Sequence, residues 1–117
     1  MYIQGFVVPV LPGKKEEYRK MAEEAGDFFR KYGALEMVEA FEEDVRDGEV
    51  TDFRKAVKAE PGEHVVFSWV VWPDKATCDK AEQEMPGDPD MKMPEEMPFN
   101  GKRMIFGGFT PIVTWGR

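Results

Sequence analysis

The stretch His64–Trp72 constrains the fold more than any other part of this chain. Seven of its nine residues are large and apolar, and they occupy both alternating sets of positions. In a β-strand these sets point to opposite sides: Val65, Phe67, Trp69, Val71 on one and Val66, Ser68, Val70, Trp72 on the other. A strand that is apolar on both sides needs cover on both sides. The remaining chain offers enough helix to cover only one, which favours a partner chain.

Hydrophobic periodicity predicts four strands and two helices. The strands are predicted at Tyr2–Val10, Ala34–Val45, His64–Trp72 and Arg103–Val113, and the helices at Lys14–Tyr32 and Lys75–Met85. Gly33 is placed to end the first helix, and Asp74 to cap the second. A short helical turn or irregular excursion is predicted at Thr51–Ala59, and a bulge or close approach at Gly107-Gly108.

This order of elements predicts an α+β fold of the ferredoxin-like type, βαββαβ, with an antiparallel four-stranded sheet. In that topology the first and third strands are central, and both helices lie on one face. Four strands of about six residues expose a face of roughly 400 Å², which is at the upper range that a soluble monomer tolerates. We therefore expect a homodimer joined through the open faces. The alternative is that segment 46–62 or loop 86–102 folds back over the face.

Composition limits the partners of the chain. The 117 residues predict one domain, 1–117, and carry a net charge of −7. A polyanion such as nucleic acid or an anionic membrane would be repelled overall, so neither is expected as a partner. The single cysteine, Cys78, excludes an intrachain disulfide. No secretory signal is visible at the start, and no apolar run reaches the ~20 residues of a membrane span, so a cytoplasmic location is expected.

Several short motifs along the chain resemble those of one bacterial family. They are Gly5-Phe6-Val7-Val8, Tyr32-Gly33-Ala34-Leu35, Asp47-Gly48 with Thr51-Asp52-Phe53-Arg54, Ala56-Val57-Lys58-Ala59, Val65-Val66-Phe67-Ser68-Trp69, and Gly101-Lys102-Arg103-Met104-Ile105 with Gly107-Gly108-Phe109. From about residue 3 to residue 112 the chain resembles the YbaA-like proteins, a family classed as a domain of unknown function. The resemblance implies a dimeric α/β-barrel, in which two ferredoxin-like sheets close around a shared interior. It supplies no substrate and no catalytic residues.

Three polar residues share alternation sets with apolar neighbours in the predicted strands. They are Gln4, Glu39 and Ser68. A buried polar group must be hydrogen-bonded or it costs about 1–3 kcal/mol, and a ligand cavity is one way to satisfy it. Glu39 is the candidate base, because an apolar surround raises the pKa of a carboxyl group. An edge-strand carboxylate in water is the plainer interpretation of the same residue.

Two arginines and one tryptophan complete the candidate ligand-binding set. Arg54 and Arg103 could each bind a carboxylate bidentately, either of a ligand or of the protein itself; for Arg54 the internal candidate is Asp52. The pocket is expected between the helices and the sheet, near Gln4, Ser68, Trp69 and Arg54.

Metal and cofactor sites are not expected. His64, the only histidine, is a weak catalytic candidate at a strand start, and no second His or Cys supplies a ligand set. Five methionines fall between residues 85 and 104: Met85, Met91, Met93, Met97 and Met104. Flexible apolar anchors for a Pro-rich loop are favoured there over a copper site.

Three functions remain open. The first is a homodimer that binds a small molecule. The second is a cofactor-independent oxygenase or isomerase acting on a small aromatic or carbonyl compound, with Glu39 or His64 moving a proton. The third is a structural or interaction module with a filled interior. A cavity of about 300 Å³ or more with converging polar groups favours the first two.

Overall fold

The computed structural model describes residues 1–116, so Arg117, the last residue of the predicted domain, lies outside the described residues. The elements are β1 (Tyr2–Val10), α1 (Lys15–Lys31), β2 (Glu36–Phe41), α2 (Phe53–Ala56), β3 (His64–Trp72), α3 (Lys75–Glu84) and β4 (Ile105–Phe109), with a 3-10 turn at Met85–Gly87 after α3. The predicted α+β fold with a four-stranded antiparallel sheet is confirmed.

The strands lie in the order β2-β3-β1-β4, which leaves β1 and β3 in the centre and β2 and β4 at the edges. All three pairings are antiparallel. One register line runs across the sheet through Glu39, Ser68, Phe6 and Phe106, so these four residues share a face. The neighbouring line runs through Val38, Trp69, Gly5 and Gly107 on the opposite face.

Both long helices lie on the first of these faces, here called the helix side. Tyr18 and Ala22 of α1 pack with Val8, Val10 and Val66. At the other end of the sheet, Cys78 and Ala81 of α3 pack with Val70 and Trp72. Each helix therefore covers the helix side with its apolar face.

The helix ends follow the predicted capping. Gly33 follows α1 with a φ of 107°, a conformation that favours glycine, and its N–H donates to the carbonyl oxygen of Arg30. Asp74 precedes α3, and its carboxylate accepts from the backbone N–H of Thr77 at 2.8 Å. Side-chain caps of this kind contribute about 1 kcal/mol. They set where α3 begins relative to the end of β3.

The opposite face of the sheet, here called the open side, is covered only in part. Val65 and Val71 are buried, whereas Phe67 between them remains 47% exposed. Helix α2 lies against this face, where the rings of Phe53 and Phe67 are 5.8 Å apart. Segment 46–62 thus covers part of this face, and loop 86–102 lies on the helix side, where Phe99 meets Tyr18 edge to face.

The predicted glycine pair in β4 marks a close approach. A Cβ atom on Gly108 would fall 1.6 Å from the Tyr2 hydroxyl oxygen, so only glycine lets the tyrosine lie across this strand. The pairing of β1 with β4 runs without a bulge from Ile3–Phe109 to Val7–Ile105. Among residues 1–116, no helix has the length and apolar content to cross a bilayer.

Candidate functional site

A cavity of about 500 Å³ lies on the helix side between the sheet, α3 and the methionine-rich segment 85–104. We call it the main cavity. Aromatic and thioether side chains dominate its wall, which is formed by Gln4, Phe6, Phe29, Trp72, Ala81, Glu82, Met85, Pro86, Met91, Met93, Met104 and Phe106. Small-molecule sites have volumes of about 300–1,000 Å³ and mostly apolar walls with few polar groups. The main cavity fits both descriptions.

The polar groups of this wall form one hydrogen-bonded chain. The indole N–H of Trp72 donates to Gln4 Oε1 at 2.8 Å, and Gln4 Nε2 donates to Glu82 Oε1 at 2.8 Å. Trp72 is fully buried and therefore fixes which end of the Gln4 amide faces Glu82. The carboxylate of Glu82 is in this way held against the cavity by a residue from the central strand.

Local sequence explains why these residues meet. Gln4 lies opposite Val70 in the pairing of β1 and β3. Val70 and Trp72 are two positions apart in β3 and so point to the same face, and the side chains of Gln4 and Trp72 therefore both face α3. On α3, Cys78 and Glu82 are one turn apart, and the thiol lies 3.8 Å from Glu82 Oε1. Burial raises the pKa of Cys78 to about 11. The thiol is therefore uncharged and unreactive at neutral pH.

Asp88 fastens the methionine-rich segment to α1. Its carboxylate accepts from Lys31 Nζ at 2.7 Å and from the Tyr32 hydroxyl at 2.7 Å. The Lys31 and Tyr32 hydrogen bonds lower the pKa of Asp88 to about 2. Met91 follows Asp88 by three residues and Met93 by five, and both line the main cavity. This outer wall of the cavity is therefore held by one buried carboxylate.

A second polar cluster lies deeper beneath α1. The Tyr18 hydroxyl donates to Glu39 Oε1 at 2.7 Å, and Ser68 also hydrogen-bonds the Glu39 carboxylate. These three residues line a cavity of about 130 Å³ whose wall shares Phe6, Phe29 and Met104 with the main cavity. A further space of about 280 Å³ borders Tyr18 and Glu39 from the α1 side. Small cavities thus continue from the main cavity to Glu39.

The surroundings of Glu39 change its acidity. Burial raises the pKa of Glu39 above its ordinary value, against the opposing effect of the Tyr18 and Ser68 hydrogen bonds. Burial and the neighbouring Glu39 carboxylate raise the pKa of Tyr18 as well, so its hydroxyl stays protonated. The interpretation of Glu39 as an edge carboxylate in water gives way to this finding. It is a partly buried carboxylate that faces apolar space.

The other predicted ligand-binding residues lie elsewhere. Trp69 is on the open side, where its indole N–H donates to Glu36 Oε2 at 3.0 Å. Arg54 donates to Glu42 Oε1 at 2.9 Å, and not to Asp52, which caps α2. Gln4 and Ser68 are therefore brought to the helix-side cavities, and Trp69 and Arg54 are not.

Arg103 joins the excursion that carries α2 to the body of the protein. It forms a two-pronged ion pair with Glu63, at 2.8 and 2.6 Å, and donates to the carbonyl oxygens of Val57 and Lys58. The Arg103 guanidinium lowers the pKa of Glu63. These contacts occupy the arginine internally and tie segment 57–63 to the start of β4.

His64 lies exposed at the start of β3, with Nδ1 3.3 Å from Glu42 Oε1. It borders neither the main cavity nor the Glu39 cluster. Among residues 1–116, no three His, Cys, Asp or Glu side chains lie close enough together to hold a metal ion.

Two residues of the site were missed by the sequence reasoning. Tyr18 lies among the apolar residues of α1, a position typical of the core, although a buried tyrosine hydroxyl needs a partner. Glu82 lies on the same side of α3 as Cys78, one turn further along, which is the signal that could have found it. Its partner Gln4 is 78 positions away in the chain.

Comparison with known proteins gives consistent results. The model of a family described as protein of unknown function, DUF1428, matches residues 1–101. The chain is 55% identical over 113 residues to the uncharacterized protein YbaA of Escherichia coli strain K12, covering 96% of this chain and 97% of that protein. The uncharacterized protein YbaA of Shigella flexneri matches with the same identity and coverage. The resemblance drawn from the short motifs is confirmed.

Proposed function

The chain belongs to the DUF1428 family, and from this premise we propose that it binds a small, largely apolar molecule in the main cavity. The supporting observation is a space of about 500 Å³ with an apolar wall and the Gln4–Glu82 pair at its polar end. A purely structural module would instead have a filled interior. The volume favours binding over that alternative.

Glu82 sets the chemistry of the ligand in this proposal. It is the charged residue in the wall of the main cavity, and the described residues leave its second carboxylate oxygen, Oε2, without a hydrogen-bond donor. Both ends of the Gln4 amide already form hydrogen bonds, since its oxygen accepts from Trp72 and its nitrogen donates to Glu82. Glu82 is exposed, so it lies at the solvent side of the cavity, and a ligand that contacts it there is best matched by a donor of its own, above all a protonated amine. The ligand class is an amine with an aromatic or aliphatic body.

Calorimetry with two small molecules of similar size tests this proposal. Phenethylamine should bind, and 3-phenylpropionate, which places a carboxylate against Glu82, should bind at least about tenfold more weakly. Glu82→Gln should abolish this preference. Glu84→Gln makes the same change of charge at an exposed position of α3 outside the cavity wall, and should preserve it. Equal binding of both molecules, or equal loss in both variants, would refute the amine site.

We also propose that the protein is a homodimer with its open sides face to face. The strand order β2-β3-β1-β4, with α1 and α3 on one face, supports the ferredoxin-like arrangement that forms dimeric α/β-barrels. Apolar side chains exposed on the other face, among them Phe67, Ile105 and Phe109, support association. The buried free thiol of Cys78 is compatible with the predicted cytoplasmic location, where thiols stay reduced.

Sedimentation equilibrium at micromolar concentration tests the dimer. The wild-type protein should have twice the mass of one chain. Phe67→Asp places a charge in the centre of the open side and should give monomers that remain folded. Val50→Asp changes an exposed apolar residue that lies outside the sheet and should leave the mass unchanged. A wild-type protein that is monomeric at every concentration would contradict the proposal.

The raised pKa of Glu39 favours one further candidate, proton abstraction from a small aromatic or carbonyl compound. A general base works best when its pKa lies near the operating pH, and burial moves Glu39 in that direction. In this reaction the C–H bond beside a carbonyl breaks, the proton passes to the ionised Glu39 carboxylate, and the electron pair stays on the substrate as an enolate. This is the first step of a cofactor-independent isomerase or oxygenase. Tyr18 and Ser68 hold the carboxylate in place.

Deuterium exchange tests this second candidate. Phenylacetone in D₂O should lose its α-protons faster with the wild-type protein than with Glu39→Gln, as followed by NMR. Glu24→Gln, an exposed position of α1, serves as the control and should exchange at the wild-type rate. An exchange rate that is unchanged in Glu39→Gln would eliminate the carboxylate as the base.

A further inference from the structure

The segment after β4, residues 110–116, extends from the sheet with its large apolar side chains in solvent. Ile112 is 95% exposed, Val113 82% and Trp115 93%. We call this segment the C-terminal arm. Single exposed apolar residues are ordinary, whereas a contiguous group marks an interaction surface. Three such residues within four positions make the arm an exposed apolar segment.

The arm begins where the open side ends. Phe109, the last residue of β4, lies opposite Ile3 on that face and is 61% exposed, and Ile105 on the same face is 45% exposed. The exposed apolar surface is therefore continuous from the centre of the open side through β4 and onto the arm. A surface that buries one part of this strip would bury the next part too.

We infer that the C-terminal arm docks on a second copy of the chain and completes the dimer interface, an inference that rests on the proposed dimer. Two open sides of roughly 400 Å² each bury roughly 800 Å², and α2 already covers part of each. Stable interfaces bury about 1,200–2,000 Å². The open sides alone fall short of that range.

The arms supply the missing area. A buried tryptophan removes roughly 150–250 Å² from water, so the two copies of Trp115 add roughly 300–500 Å² before Ile112 and Val113 are included. Seven extended residues reach about 23 Å, comparable with the ~19 Å width of the four-stranded sheet. In a two-fold dimer each arm crosses to the other copy, so both contacts form together.

Equilibrium sedimentation of an arm variant tests the inference. The triple variant Ile112→Ser, Val113→Ser, Trp115→Ser should raise the dimer dissociation constant at least about tenfold, because tryptophan is enriched among residues that dominate interfaces. All three changes are at exposed positions, so the fold of one chain should persist. Val50→Ser, at a residue that is 93% exposed but outside the arm, should leave the constant unchanged.

The outcomes separate this inference from the dimer itself. A monomeric wild-type protein would refute both. A wild-type dimer whose dissociation constant is unchanged in the triple variant would refute docking of the arm and leave the dimer standing.

Fluorescence gives a second readout that does not depend on the triple variant. The emission of Trp115, taken as wild type minus Trp115→Phe, should be blue-shifted at high concentration and should shift to the red as the dimer is diluted. A solvent-like spectrum at all concentrations would overturn the inference.

Discussion

The rest of the chain covers one face of the sheet almost completely and leaves much of the other face exposed. On the helix side, Val66, Val70 and Trp72 are almost completely removed from water. On the open side, Phe67 of the same strand is half exposed, and Phe109 more so. The residues of β3 that alternate between these faces have similar apolar character. The difference therefore comes from what covers each face and not from the strand itself.

Polar groups sharpen the contrast. The helix side carries Gln4, Ser68 and Glu39, each of which has hydrogen-bond partners, and within residues 1–116 no buried side-chain nitrogen or oxygen lacks one. On the open side the polar contact of the sheet residues is the pair of Trp69 with Glu36, and aromatic rings such as those of Phe67 and Phe109 are exposed beside it. The proposed ligand chemistry therefore belongs to the helix side, and the proposed association belongs to the open side. Changes on one face should leave the other function intact.

Substitution of the two tryptophans in β3 is the test of this comparison for which we expect the largest effect. Trp72→Ala removes a fully buried side chain and the hydrogen bond to Gln4, and should lower the free energy of unfolding by about 3–5 kcal/mol. Trp69→Ala, on the open side, should lower the stability of one chain far less. Urea unfolding of both variants at several protein concentrations measures the two effects.

The concentration series separates folding from association. The unfolding midpoint of Trp69→Ala should depend less on protein concentration than that of the wild type, because the substitution should weaken the proposed dimer. Trp72→Ala should be less stable at every concentration. If both variants lost the same free energy at low concentration, the contrast between the two faces would not hold for single chains.

The second prediction concerns Asp88, which holds the outer wall of the main cavity. Its pKa is lowered from 3.8 to about 2 by Lys31 and Tyr32, so the folded state favours the charged form. Stability from this group is therefore fully present above pH 3.8 and is lost as the pH falls toward 2. Asp88→Asn should have a lower Tm at pH 7 and a smaller further loss on acidification.

Asp44→Asn is the matched control, because its ion pair with Arg46 is highly exposed on both sides. Such pairs contribute little, so the Tm of this variant should stay close to that of the wild type. Asp88→Asn should also weaken phenethylamine binding, since Met91 and Met93 depend on this contact for their position. It should not change the dimer dissociation constant. A change in the dimer dissociation constant without a change in phenethylamine binding would contradict this prediction, because it would show that Asp88 acts on the open side.

The central strands were predictable to the residue, and the edge strands were not. Tyr2–Val10 and His64–Trp72 have the predicted bounds, because both are flanked by strands and carry dense apolar residues. The predicted edge strands Ala34–Val45 and Arg103–Val113 shorten to Glu36–Phe41 and Ile105–Phe109. An edge strand has one hydrogen-bonding neighbour, so apolar pattern alone does not determine where its pairing ends.

The candidate site was predictable only in part, for a different reason. Alternation identified Gln4, Ser68 and Glu39 as polar residues among apolar ones, and all three line helix-side cavities. Their partners Glu82 and Tyr18 come from helices, and which helical residue meets which strand residue depends on how the helix lies across the sheet. Arg54 was expected to bind a carboxylate of a ligand or of Asp52, and in the structure its partner is Glu42. Residue spacing indicates which face of a strand or helix a side chain lies on, but it does not specify the residue with which that side chain pairs.

The smallest expected effect tests the polar part of the helix side. Burial raises the pKa of Glu39 above 4.5, so the folded state disfavours its charged form. The contribution of Glu39 to the free energy of unfolding is therefore fully present below pH 4.5 and is lost as the pH rises through its raised pKa. Glu39→Gln keeps the shape and the Tyr18 hydrogen bond without the charge. Its Tm should exceed that of the wild type by about 1–4 °C at pH 8.

At pH 4 the Tm of the same variant should match that of the wild type. The Glu39 carboxyl group of the folded wild type is then protonated, and so it is as uncharged as the glutamine of the variant. Glu24→Gln on the exposed side of α1 should show neither effect. A stabilising substitution within the cavity cluster is what a residue retained for function would give. If Glu39→Gln instead lowered the Tm at pH 8, the charge would be a structural partner of Tyr18 and Ser68. The proton-transfer candidate would then lose its physical basis, while the amine site at Glu82 would be unaffected.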